Sequence, residues 1–264
     1  MVNLTKTTNL RREISKNYTP LELEFLGLVF MRNVLLIHGA LGAKQDLQLL
    51  AESLKSNGLF VFSFSFSGHG RTGFADDFTI TRFTKELKDF IVYNKLQPIT
   101  VFGYSMGGFV ALNLASTEAG LINKIITLGT KFNWGDVSVE KEIKQLNPDI
   151  IRQKVPALAK SLEEKHGPAW KDLMLKTASL MRDINSVQHL NAAAIKNISI
   201  PVQIGIGDKD QMVSFEETIE TYKTLPNASM FMLPGCKHAL ETANLHLLSQ
   251  VIVEFARLKN DHCN

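Results

Sequence analysis

Gly103-Tyr104-Ser105-Met106-Gly107, between an apolar run at 99–102 and a second at 109–112, decides how this chain is read. A serine with glycines two positions away on either side suits a sharp turn from a strand into a helix, where a strained backbone leaves no room for side chains. Such a turn lifts the hydroxyl to the edge of a sheet. The helix that starts there points unpaired N–H groups at the site and favours negative charge developing beside it. The flanks meet the requirement, with a β-rich run before the serine and an apolar helical run after it. The bland alternative is a glycine-rich turn carrying a solvated serine.

Working outward, short β-rich runs alternate with helical periodicity. Residues 34–37 read as a strand ending at His38-Gly39, and Leu47, Leu50 and Leu54 follow at helical spacing. Residues 59–66 alternate, with Phe60, Phe62, Phe64 and Phe66 on one face of an expected strand. Ile80, Phe83, Leu87, Phe90 and Ile91 mark one helical stripe. Strands are expected at 99–103, 122–128, 202–206 and 230–233, with helices at 107–116 and along Leu247, Leu248, Val251, Ile252, Phe255 and Leu258. Strands joined by helical crossovers form a parallel sheet, so the expected class is α/β: a mostly parallel central sheet with helices on both faces.

Residues 132–196 break the alternation. They carry helical stripes, Val155, Leu158 and Leu162, then Trp170, Leu173, Thr177, Leu180, Met181 and Ile184, and read as an all-helical insertion. The expected division is an N-terminal extension at 1–30, a core at 31–131 and 197–264, and a helical cap at 132–196. No internal repeat or low-complexity segment argues for a solenoid or a linker.

Composition narrows the function classes. Hydrophobic residues make up 45% of the 264 and charged residues 21%, enough to fill a core and enough to dissolve it, which excludes a disordered or disulfide-stapled chain. Lys and Arg number 29 against 26 Asp and Glu with no dense basic block, so nucleic acid is not an expected partner. Cys236 and Cys263 form no framework and no metal-binding spacing, and a reducing cytoplasm is the expected setting. Residues 96–117 carry no charge, but Pro98, Asn113 and the clustered glycines make them a buried strand, turn and helix rather than a membrane span. Arg11 and Arg12 precede an apolar run at 25–31, yet Glu22 and Glu24 interrupt the approach and no cleavage site follows, so no signal peptide is expected.

Upstream of the serine, His38-Gly39-Ala40-Leu41-Gly42 leaves a strand directly. A backbone N–H from this loop, taken as that of Ala40, is expected to pair with the N–H of Met106 as an oxyanion hole. The plain alternative is a βα turn that needs glycine for its dihedrals. His38 reads as a hydrogen-bonded scaffold residue rather than a base.

With both motifs in place, the chain resembles the α/β-hydrolase family, serine-nucleophile branch with a helical cap, over most of 31–131 and 197–264. Gly68-His69-Gly70-Arg71-Thr72 is similar to the family's GxGxS turn after the fourth strand. The family commonly has an Asp three residues before that first Gly, where this chain has Ser65. The resemblance implies an acid after the seventh strand and a histidine after the eighth. Gly207-Asp208-Lys209-Asp210 and Pro234-Gly235-Cys236-Lys237-His238 fall there. Asp210 matches the family's acid position and would orient His238, with Asp208 the runner-up; His238 would take the proton from Ser105.

The expected reaction is acyl transfer to water through an acyl-serine, on a carboxylic ester of small or medium apolar character, with no metal or organic cofactor. Thioester, lactone and carbon–carbon bond hydrolysis use the same constellation, and a non-catalytic ligand-binding protein of this fold is the alternative from another class. Lys131 and Trp134 are expected either to line the pocket or to serve as hinge or packing residues. Cys236 is read as packing.

Overall fold

The computed structural model describes residues 33–258. The extension expected at 1–30, the first two residues of the expected core, Cys263 and the rest of 259–264 lie outside the described residues. Six strands, β1 (Asn33–Ile37), β2 (Phe60–Ser63), β3 (Ile99–Tyr104), β4 (Ile122–Leu128), β5 (Val202–Gly207) and β6 (Ala228–Leu233), form one sheet in the order β2-β1-β3-β4-β5-β6. Every pairing is parallel, and Leu36 sits opposite Ser63 on one side and Phe102 on the other.

The helices are α1 (Gln48–Ser56), α2 (Ile80–Tyr93), α3 (Met106–Thr117), α4 (Asp136–Ile143), α5 (Pro148–Lys154), α6 (Pro156–His166), α7 (Trp170–Val187), α8 (Ala192–Lys196), α9 (Phe215–Thr224) and α10 (Leu245–Arg257). Alternation along each strand sends side chains to opposite faces. Leu35, Ile37, Val101 and Ile125 pack with Phe83 and Leu87 of α2 and Val110 of α3. Val34, Leu36, Phe102 and Ile126 pack with Leu50 and Leu54 of α1 and Leu248 and Ile252 of α10. Each such aliphatic side chain, fully withdrawn from water, contributes about 1.5–3 kcal/mol, so the two-sided burial holds the sheet between its helical layers.

Two expectations need correction. The strand read at 59–66 ends at Ser63, because its later N–H groups leave the ladder: Phe66 donates to His38 Nε2 at 3.1 Å and Ser67 to Glu86 Oε2 at 2.9 Å. The phenylalanines still pack, Phe64 stacked on Phe90 and Phe66 against Phe83. The stripe starting at Val155 is also different. Val155 joins α5 to α6 and is exposed, as is Leu158, and α6 instead buries Ala159, Leu162 and His166.

Helices α4 to α8 occupy the chain between β4 and β5. Ala159, Leu162, Trp170 and Met174 from α6 and α7 form their own apolar cluster, with Leu146, Ile151 and Leu41 packed on it. The six residues of α7 expected to share a buried stripe are all buried.

Candidate active site

With every strand parallel, the loops leaving their C-terminal ends gather along one edge of the sheet. The strand order reverses direction between β1 and β3, which opens a crevice there. The loop after β1 supplies Ala40, the turn after β3 Ser105, the loop after β5 Asp210 and the loop after β6 His238.

Ser105 has φ +50° and ψ −117°, a backbone conformation that side-chain-bearing residues rarely adopt. The close approach explains its glycines. A Cβ on Gly107 would lie 2.6 Å from the carbonyl oxygen of Ile37, and one on Gly103 would meet the backbone of Gly108. Ser105 N–H donates to Leu128 O at 2.9 Å, and the Thr130 hydroxyl donates to Ser105 O at 3.1 Å. The turn is therefore held from β4 as well as from its own strand and helix.

Ser105 Oγ lies 3.2 Å from His238 Nε2, and His238 Nδ1 donates to Asp210 Oδ2 at 2.9 Å. The Nδ1–H is thus committed to the carboxylate, which leaves Nε2 to accept the serine proton. Asp210, rather than Asp208, receives the imidazole. Asp210 Oδ1 also accepts the N–H groups of Met212 at 2.9 Å and Val213 at 3.0 Å. Burial pushes its carboxyl upward, but the His238 hydrogen bond and charge, with those N–H groups, outweigh it and hold the pKa below the ordinary carboxylate value. The two loops are stitched together by Lys209 N–H on Cys236 O at 3.0 Å and Asp208 N–H on Leu233 O at 3.1 Å. Tyr104 donates its hydroxyl to His238 O, and burial raises the phenol pKa, so it stays a donor.

Met106 opens α3, so its N–H has no intrahelical acceptor. Among the described residues the Ala40 N–H has no protein acceptor either. Both residues line, with Ser105 and His238, a cavity of about 140 Å³. Its other walls are mainly apolar, with Ile80, Phe109, Leu180 and Ile184 among them. This arrangement can deprotonate a hydroxyl, deliver it to a carbonyl and receive the resulting oxyanion on two N–H groups.

His38 is fully buried, its Nδ1–H on Gly39 O at 2.8 Å and its Nε2 accepting from Phe66, and burial lowers its pKa to about 4. It is a neutral scaffold residue. Ser65 Oγ accepts the Lys44 N–H at 3.0 Å, so the serine at that position ties the loop after β1 to the turn at 68–72. Cys236 is buried, and burial pushes its thiol pKa up.

Lys131 and Trp134 line the cavity and also pack, the ammonium 5.9 Å from the indole ring. Lys131 donates to Met212 O at 2.8 Å and lies 3.8 Å from Glu217, and both side chains of that pair are buried. Glu217 had no place in the expected site, yet it accepts N–H groups from Phe132 at 3.1 Å, Asn133 at 2.6 Å and Ser214 at 2.7 Å. Its signal was the capping box at the start of α9, a Ser followed three residues later by Glu. Thr130 and Tyr104 act through backbone carbonyls, Thr130 outside any spacing pattern and Tyr104 at a motif position whose residue type the motif leaves open.

A parallel sheet flanked by helices, with a serine at a strained strand-to-helix turn, defines an α/β-hydrolase. The family model described as serine aminopeptidase, S33, matches residues 31–242, and the chain belongs to that family. It is similar to monoacylglycerol lipase ABHD6 of Rattus norvegicus, 21% identical with 84% of this chain and 74% of that one covered. Among solved structures it is similar to NosK from Streptomyces actuosus, with a TM-score of 0.72 at 20% identity over 86% of this chain and 98% of that one. An esterase from Exiguobacterium antarcticum matches with a TM-score of 0.72 at 17% identity, covering 86% and 92%. No helix among the described residues is long and apolar enough to cross a membrane.

Proposed function

We propose that this chain is a serine hydrolase that cleaves a carboxylic ester of a small or medium apolar substrate. The observation that carries the reading is the hydrogen-bonded line from Ser105 through His238 to Asp210, opening on an apolar cavity beside the N–H groups of Ala40 and Met106, which have no acceptor among the described residues. The names of two similar proteins, a lipase and an esterase, support the choice of ester.

Ser105 Oγ attacks the ester carbonyl as its proton passes to His238 Nε2, and the imidazolium is stabilised by Asp210. The oxyanion settles on the N–H groups of Ala40 and Met106. Collapse breaks the bond to the alkoxy group, which leaves as the alcohol with the proton from His238. Water then adds to the acyl-serine with His238 again as base, releasing the acid and restoring the serine. Helices α4 to α8 serve as a cap, supported by Thr177, Leu180, Met181 and Ile184 of α7, which line the same cavity as the serine. A cytoplasmic setting belongs to the same reading and is supported by Cys236, a free thiol.

A panel of esters, thioesters and lactones of graded acyl length tests the proposal, with Ser105→Ala as control. Apolar esters are expected to turn over and the control to be inactive. A well-folded wild type with no Ser105-dependent turnover on any member, and no labelling by a fluorophosphonate, would sink it.

A further inference from the structure

The loop carrying Ala40 is gripped by the helical segment opposite it. Gly42 N–H donates to Gly39 O at 3.1 Å, closing a turn over 39–42, and Leu41, third in that turn, has φ +56°. Positive φ at the third position is the type II signature, and glycine is the usual residue there. A leucine in that conformation is strained and persists only where its surroundings over-determine it.

Helices α6 and α7 supply that support twice. The Leu41 side chain packs on the cluster of Ala159, Leu162, Trp170 and Met174. Its carbonyl accepts a hydrogen bond from His166 Nε2 at 2.9 Å, while His166 Nδ1 accepts the Gly70 N–H at 3.0 Å. The imidazole therefore sits in one tautomer, with both nitrogens used. Burial holds its pKa below the ordinary value; the Leu41 carbonyl opposes this, Lys165 adds to it and Asp46 opposes it, so Nδ1 remains an acceptor at neutral pH. The neighbouring Lys165 meets Asp46 at 2.8 Å, and Asp46 Oδ2 accepts the Ala43 N–H at 2.9 Å. One helix end thus holds the loop at its strained residue and again just beyond it.

We propose that His166 is a positioning residue for the oxyanion hole: by holding the Leu41 carbonyl it fixes the Leu41–Gly42 peptide and the strained Leu41, keeps the turn over 39–42 closed, and so keeps the N–H of Ala40, second in that turn, aimed at the acyl oxygen. This rests on the reading of Ala40 as an oxyanion donor. Seating of the cap and assembly of the oxyanion hole are then one event.

The test compares wild type, His166→Leu and His166→Gln by ester turnover and by amide hydrogen exchange, with Ser105→Ala as the blank. Leucine fills the space but bonds to neither Leu41 nor Gly70, whereas a glutamine amide offers both a donor and an acceptor. Outright loss of an oxyanion donor costs about 100-fold or more in kcat, and a mis-aimed donor costs less, so His166→Leu is expected to lower kcat about ten-fold with KM within about two-fold. Exchange at 40–42 should quicken in the same variant, and His166→Gln should restore most of both. A merely structural role would lower the melting temperature of both variants without separating kcat from KM. Should His166→Leu not fold, His166→Asn, too short to reach Leu41, takes its place.

Unchanged exchange at 40–42, or an unchanged kcat where the wild type is active, overturns the proposal. A wild type with no Ser105-dependent turnover defeats the hydrolase reading instead, and exchange at 40–42 then decides by itself whether His166 holds the loop.

Discussion

Replacing Glu217 tests how far the frame beneath the site depends on one buried carboxylate. Glu217→Ala removes the acceptor for the N–H groups of Phe132, Asn133 and Ser214 and leaves the Lys131 ammonium without its counter-charge. At 3.8 Å the pair attracts by about 4 kcal/mol at an effective dielectric of about 20, before desolvation is subtracted. Each orphaned N–H costs about 1 kcal/mol or more. Together with the unpaired ammonium, the expected loss is about 3–5 kcal/mol. Lys131→Met leaves the three N–H groups on the carboxylate and is expected to cost about 1–2 kcal/mol. The double variant should fall short of the sum, with a coupling of about 1–3 kcal/mol. Urea unfolding followed by tryptophan fluorescence measures all four proteins, with Trp134 beside Lys131 as a reporter. A loss under about 1 kcal/mol for Glu217→Ala, or no measurable coupling, would refute the reasoning. Ester turnover should fall too, since Lys131 holds Met212, whose N–H is on Asp210.

Asp210→Asn should lower kcat by about 10³- to 10⁴-fold with little change in KM, because the amide no longer fixes the Nδ1–H tautomer of His238; single-turnover kinetics would show it, and a fall below ten-fold would count against the assignment. Gly107→Ala places a Cβ 2.6 Å from Ile37 O, and since that carbonyl is rigid backbone the melting curve should report about 1–3 kcal/mol of destabilisation; an unshifted curve would contradict the packing. His38 has its pKa lowered by burial to about 4. The unfolded state, with a pKa of about 6.5, binds the proton more readily, so the stability it contributes is full above that value and is lost as pH falls toward about 4, by up to roughly 3 kcal/mol. Denaturant unfolding from pH 7 to 4 should be less acid-sensitive in His38→Gln, and equal slopes in the two proteins would exclude this origin.

The inner strands β1, β3, β4 and β5 were legible because burial on both faces writes itself as short apolar runs, while the half-buried edge strand β2 showed as alternation; all six expected strands formed. Around the site, the glycines flanking Ser105 were legible for a steric reason, as their missing side chains are where Ile37 O and Gly108 sit. Asp210 and His238 were reached through resemblance, which ordered the loops; spacing alone left them among several polar loop residues. What escaped was carried by contacts distant in the chain. Phe66 and Ser67 leave the ladder for side chains 28 and 19 positions away. His166 reaches partners 96 and 125 positions away, and no periodicity encodes that. Glu217 was half legible: its capping role is a local pattern, but its grip on Phe132 and Asn133 needs the fold.

The parallel sheet divides the molecule into an edge that carries Ser105, Asp210 and His238 and an opposite edge that carries none of them. Gly107 and Gly129 on the edge with the serine are hemmed in, a Cβ on Gly129 standing 3.3 Å from Asp210 Oδ2. Gly58 and Gly120, in the connections entering β2 and β4 at the opposite edge, have nothing within 4 Å of a Cβ and are glycine only for their positive φ. Those two turns are the places to graft a tag, a fluorescent reporter or a surface tether, because peptide inserted there lengthens a connection without crossing the crevice where the serine sits.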